Sequence, residues 1–203
     1  MRTKFIYQIP ILLLYSRLIV ALLIVVLSFI NPNPIIIVVL SIWAILSDIF
    51  DGIIARQLNI STPEMRILDT KIDTVFWFSC LLYVCVNKIP FLQNHFFQIV
   101  ILVFSELFII IIGFLKFHER ISYHTIVSKF WALTLLCFFI DLIVNDSCKY
   151  TFTFSFWFGI FAQFEILWIT LLLKQSQTDV PGFIQAIKIR KGLKIRKNRF
   201  FNS

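Results

Sequence analysis

The sequence predicts an all-α integral membrane protein, a bundle of six transmembrane helices with both termini in the cytoplasm. Three observations carry this. Hydrophobic residues make up 59% of the 203 residues and charged residues only 15%, against about 45–50% and about 25% in soluble domains. The mean hydropathy is +0.89. The apolar residues fall in six runs, separated by polar or proline-rich breaks, and each run approaches the ~20 residues that a bilayer core requires. This composition excludes a soluble globule and a disordered chain.

The first helix is read over residues 11–30 and ends at Asn31-Pro32-Asn33-Pro34, a strong breaker. Arg2 and Lys4 precede it in the manner of a signal peptide. The run is too long for a typical signal core and has no small-residue cleavage site, so it is read as a retained span. The second helix covers residues 35–57. Ser61-Thr62-Pro63-Glu64 then has the form of a helix start, and the third covers residues 65–87. Residues 88–94 make a turn. The fourth, fifth and sixth helices are read over residues 96–117, 125–145 and 152–173. Residues 1–175 form the membrane domain and 176–203 a basic cytoplasmic tail.

Orientation follows from the positive-inside rule. The loop between the first two helices carries no charge, whereas Arg56 and Arg66 flank the next. Lys88 stands alone in the third connection, while Lys116, Arg120 and Lys129 gather at the fourth. Lys149 is alone in the fifth, and the tail carries Lys188, Arg190, Lys191, Lys194, Arg196, Lys197 and Arg199. Such a tail attracts anionic headgroups or simply fixes topology. It supplies no folded nucleic-acid reader, so no nucleic-acid partner is expected. The cysteines, Cys80, Cys85, Cys137 and Cys148, form no metal-finger spacing and read as small hydrophobes.

Acidic residues within spans are the informative ones, because an ionised carboxylate at the bilayer centre costs roughly 2.5–3.5 kcal/mol on insertion scales. Asp48, Asp51, Asp69, Asp73, Glu106, Asp141 and Glu165 lie inside or at the edge of the spans. The first four cluster. Asp48 and Asp51 are i,i+3 near the end of the second helix, and Asp69 and Asp73 are i,i+4 near the start of the third, so each pair shares one helix face. A short loop makes the two helices antiparallel neighbours, with all four carboxylates at one depth. Converging carboxylates repel, and divalent cations keep them ionised. An all-oxygen donor set favours Mg²⁺, Mn²⁺ or Ca²⁺ over zinc. Gly52 and Ala55 leave room beside this site, and Arg56 adds a fork suited to phosphate. A phosphate-bearing, partly lipidic substrate fits this set. A small cation transporter is the competing reading, but a transport path spreads its polar groups through the membrane depth.

Asp48-x2-Asp51-Gly52-x2-Ala55-Arg56-x8-Met65-x3-Asp69-x3-Asp73 resembles the signature of the CDP-alcohol phosphatidyltransferases, D-x2-D-G-x2-A-R-x8-G-x3-D-x3-D. Seven of its eight fixed positions agree, and Met65 replaces the second glycine. Pro10, Leu13 and Arg17 match a family pattern at the start of the first helix, Pro-Asn-x-Leu-Thr-x-x-Arg, in which Ile11 and Leu14 replace the Asn and Thr. The resemblance implies transfer of a phosphatidyl group from a CDP-linked lipid, such as CDP-diacylglycerol, to an acceptor hydroxyl with release of CMP, in phospholipid synthesis. It implies two divalent cations, Mg²⁺ or Mn²⁺. Asp48 and Asp69 would bridge both, Asp51 would bind the first, and Asp73 would bind the second and act as general base. It also implies CDP-lipid contacts from Gly52, Arg56 and Thr62, and a homodimer in the bilayer with its site facing the cytoplasm. Met65 implies a reshaped cytidine pocket.

For the acceptor, a small polar alcohol, the basic residues Arg17, Lys129 and Arg120 form a candidate pocket that suits a phosphorylated compound such as glycerol 3-phosphate. Snorkelling interfacial cations are the alternative. A catalytically impaired relative acting as a membrane scaffold also remains open on the changes at Met65, Ile11 and Leu14.

Overall fold

A computed structural model describes residues 2–30, 33–58, 60, 62–145 and 148–193. The described residues form eight helices: α1 (Arg2–Ser28), α2 (Pro34–Gln57), α3 (Pro63–Asn87), α4 (Ile89–Asn94), α5 (Phe96–Phe117), α6 (Ile126–Val144), α7 (Lys149–Leu172) and α8 (Phe183–Arg190). The only extended pairing among the described residues is an isolated parallel bridge between Ser122 and Thr178. α1, α2, α5, α6 and α7 are long and apolar enough to cross a membrane. α3 is as long, but its first eleven residues include Glu64, Arg66, Asp69, Lys71 and Asp73.

The helices depart from the sequence expectation at three places, one of them α8 within the tail read over 176–203. α1 begins well before residue 11 and runs through Pro10. The 88–94 connection is a short helix rather than a turn, with Pro90 in its first turn, where the missing N–H goes unmissed. Lys194, Arg196, Lys197 and Arg199 of the tail lie outside the described residues.

The chain divides into two compact units, Met1–Phe96 with Leu136–Cys148, and Phe97–Leu135 with Lys149–Ser203. In the first, α1 packs along both α2 and α3. Its buried stripe is Pro10, Leu14, Arg17, Ala21, Ile24 and Ser28, the i,i+3/i+4 spacing of one helix face. Asn33 caps α2, its side chain accepting from the Ile35 N–H at 3.0 Å, and Pro34 follows in the first turn. The buried face of α2 includes Ile37, Ser41, Ala44, Asp51, Gly52 and Ala55, small residues that allow close helix approach. α3 answers with Arg66, Asp69, Ile72, Phe76, Cys80 and Tyr83. At its end Asn87 Nδ2 donates to the Ser28 carbonyl at 3.0 Å, so α1 and α3 finish together and run parallel, with α2 antiparallel to both. Tyr83 and Phe91 pack edgewise and tilted against Phe139 and Phe138.

In the second unit, Ile109, Ile121, Tyr123, Ile169, Leu173, Val180 and Ala186 form a core. Burial pushes the Tyr123 phenol up to about 12, so it stays neutral there. Lys116 Nζ donates to the carbonyls of Thr170 and Leu171 at 2.9 and 2.8 Å, closing the carbonyl end of α7 with a cation. Glu165 accepts from the Phe183 N–H at 3.2 Å at the start of α8.

Candidate functional site

The four aspartates meet. Asp48 and Asp51 come from the second half of α2, Asp69 and Asp73 from the first half of α3. Oxygens of Asp48, Asp51 and Asp69 all lie within 4.8 Å of one another. The burial is graded. Asp51 and Asp69 are 3% and 6% exposed, Asp48 and Asp73 34% and 30%. Each helix therefore gives one carboxylate to a buried floor and one to an open rim.

The sequence placed Arg17 in an acceptor pocket; it reaches the centre of this cluster. Its guanidinium, 1% exposed, faces all four carboxylates. Nη2 donates to the floor, to Asp51 at 2.6 Å and Asp69 at 2.9 Å. Nη1 donates to the rim, to Asp48 at 2.9 Å and to Asp73. Each nitrogen thus serves one carboxylate from α2 and one from α3, a use of the fork that a lysine could not reproduce. The signal was in the sequence: Arg17 lies on the same stripe as Pro10, Leu14, Ala21 and Ile24, and a buried arginine requires acidic partners.

The residues fit a divalent cation. The donors are all carboxylate oxygens, suited to a hard ion, and a side-chain cation already sits among them.

The other predicted residues divide. Gly52 is buried, and a Cβ there would stand 3.4 Å from both Nη1 and Nη2 of Arg56, so the Arg56 fork folds back one turn over the glycine. Thr62 caps α3, its hydroxyl accepting from the Met65 N–H at 3.2 Å. The Glu64 carboxyl, in the same turn, is held below its ordinary range by its own backbone N–H and by the Thr62 hydroxyl. Thr62→Ala is expected to lower stability by about 1 kcal/mol, and Thr62→Asp to restore it; thermal melts of the two variants check this. Arg66 is a residue that sequence reasoning passed over. It is 6% exposed and shares the α3 face of Asp69 and Asp73 at i,i+3,i+7, which was the available clue. Arg120 and Lys129 belong to the second unit, Arg120 between α5 and α6 and Lys129 in the first turn of α6, both half-buried.

Glu106, Asp141 and Glu165 have local polar partners. Gln163 Nε2 donates to Glu106 at 3.5 Å, Asn145 to Asp141 at 2.8 Å, and Glu165 serves the start of α8. None of Cys80, Cys85, Cys137 and Cys148 is in a disulfide.

Residues 7–175 match the family model described as CDP-alcohol phosphatidyltransferase. Neither the curated proteins nor the solved structures give a match. The family match covers most of the chain, including α1 to α3 and the carboxylate cluster they build, so the chain belongs to the CDP-alcohol phosphatidyltransferases, membrane phosphotransferases that move a phosphatidyl group from a CDP-alcohol in phospholipid synthesis.

Proposed function

We propose that this protein transfers the phosphatidyl group of CDP-diacylglycerol to the hydroxyl of a small phosphorylated alcohol, with glycerol 3-phosphate the leading acceptor, and releases CMP. The observation that carries the reading is the convergence of four carboxylates from two helices on one buried cation, Arg17. That concentration of negative charge inside a membrane helix bundle is expensive without a task. It also lies at one level on adjacent helices, which favours a site over a transport path.

Asp48, Asp51, Asp69 and Asp73 would hold two divalent cations, Mg²⁺ or Mn²⁺, of the kind the family uses. Bound there, the cations supply charge that neutralises the pyrophosphate and the departing CMP oxygen. The chain's own residues do the rest. Gly52, lacking a side chain, leaves room for the Arg56 fork beside the cluster, and Arg56 offers a forked donor to a phosphate oxygen. Asp73, on the rim, is the carboxylate an acceptor can reach. It takes the acceptor's hydroxyl proton as that oxygen bonds to phosphorus and the bond to CMP breaks, the electron pair leaving with CMP. The proposal includes six spans, a cytoplasmic site and a homodimer, as the charge pattern and the family resemblance imply.

The test is CMP release from CDP-diacylglycerol by the purified full chain, with Mg²⁺ or Mn²⁺, across glycerol 3-phosphate, inositol phosphate, serine and a simple amino alcohol. One acceptor should give metal-dependent turnover that a chelator stops. A folded protein that turns over none of them would favour the impaired-scaffold reading instead, and Met65→Gly would then be the variant to assay.

A further inference from the structure

We infer that Arg17 is a built-in competitor of the metal, an internal counter-ion that neutralises the four aspartates and must give them up when a divalent cation enters. The inference rests on the proposed metal-site reading of the cluster and adds a residue that opposes loading.

The geometry makes the competition direct. All four carboxylates that would ligate a cation already accept from the two Nη nitrogens of one guanidinium, at 2.6–2.9 Å for Asp48, Asp51 and Asp69 and also at Asp73. A divalent ion bound to these oxygens at about 2.0–2.2 Å would occupy the ground between them that the guanidinium fills. Two cations cannot share it, both because of their size and because of like-charge repulsion. Arg17 is 1% exposed and lies on the stripe of Leu14 at 1% and Ala21 at 0%, on a helix that packs on α2 and α3, so the guanidinium stays at the cluster until an ion displaces it.

Two opposite effects of one substitution follow, and a residue that only supports the fold would not produce them. Without divalent cation, loss of the guanidinium leaves four facing carboxylates with no counter-ion from α1, which destabilises the protein. With divalent cation, the same loss removes the competitor, so the ion binds more tightly. A purely structural Arg17 would lower both stability and affinity.

The experiment is Mn²⁺ titration of the detergent-purified full chain, reading free Mn²⁺ by its electron paramagnetic resonance signal, alongside thermal melts with and without Mn²⁺. Arg17→Met, purified in Mn²⁺ and then stripped, is expected to bind Mn²⁺ at least tenfold more tightly than the parent. It should also melt lower without the ion and regain the difference in saturating Mn²⁺. Arg17→Lys, which keeps the charge but loses the fork, is expected to fall between the two, and it decides the matter if Arg17→Met fails to fold. Equal or weaker Mn²⁺ binding by the variants overturns the inference while leaving the metal site intact. Absence of Mn²⁺ binding by parent and variants alike overturns the metal-site reading itself, and the inference with it.

Discussion

Asp69→Asn is expected to lose CMP release by roughly a thousandfold or more and yet to melt at a higher temperature than the parent when no divalent cation is present. The activity loss follows from the role proposed for Asp69 as a shared metal ligand on the buried floor. The gain in stability follows from the charge count around Arg17. The Arg17 guanidinium faces four carboxylates, and even with Arg66 near Asp51 the acidic groups outnumber these two cations, so the carboxylates repel. An asparagine still accepts from Nη2 through its amide oxygen but brings no charge. Relieving about 1–2 kcal/mol of like-charge strain would raise the melting temperature by roughly 2–8 °C in a chain of this size. Added Mn²⁺ should then raise the melting temperature of the parent more than that of the variant. Asp73→Asn should lose activity as fully, through loss of the base, but gain less stability because its carboxylate is on the exposed rim. Turnover retained by Asp69→Asn, or a lower melting temperature without metal, would contradict this account of the cluster.

Gly159→Ala should destabilise the second unit, although alanine is the better helix former. A Cβ at position 159 would lie 2.5 Å from Trp131 Nε1, 2.7 Å from Cε2 and 2.9 Å from Cζ2. These are atoms of a rigid ring, so the contact cannot be relieved by rotating a flexible chain end. Overpacking of this kind costs about 1–3 kcal/mol, against which alanine's helix preference returns at most about 1 kcal/mol. Thermal melts should fall by a few degrees, at roughly 2–4 °C per kcal/mol. Trp131→Phe removes the atoms in conflict, so combining it with Gly159→Ala should cost less than the two changes summed. Additive effects would mean that α6 and α7 yield to the methyl without loss.

The aspartate cluster was legible in the sequence because its logic is local. Asp48 with Asp51, and Asp69 with Asp73, share helix faces by spacing alone, and a loop too short for anything but an antiparallel turn brings the faces together. The buried floor and open rim were not legible, since they depend on how far α1 covers each carboxylate. Arg17 shows the boundary. Its place on a buried stripe could be counted along α1, but its four partners depend on α1 packing against both α2 and α3, a long-range fact that periodicity does not contain. Arg66 was passed over for a related reason: a basic residue beside a loop reads as a topology marker until its helix face is compared with that of Asp69. The helical course of residues 2–10 escaped because the apolar run that marks the span starts only at residue 11, after Arg2, Lys4 and Gln8, and α4 because six residues are too few for a periodic signal.

Arg17 also precedes its four partners in the order of synthesis, because α1 is made before α2 and α3. The hairpin that follows carries four carboxylates, each burdensome to a lipid interior, and it meets a helix on which the matching cation has already been made. The site therefore draws a counter-charge from a helix made before the two that carry its carboxylates. A ribosome that delivered α2 and α3 without α1 would hand the insertion machinery an acidic hairpin with no internal counter-charge from that helix, whereas a chain delivered in its natural order can neutralise the pair as it enters.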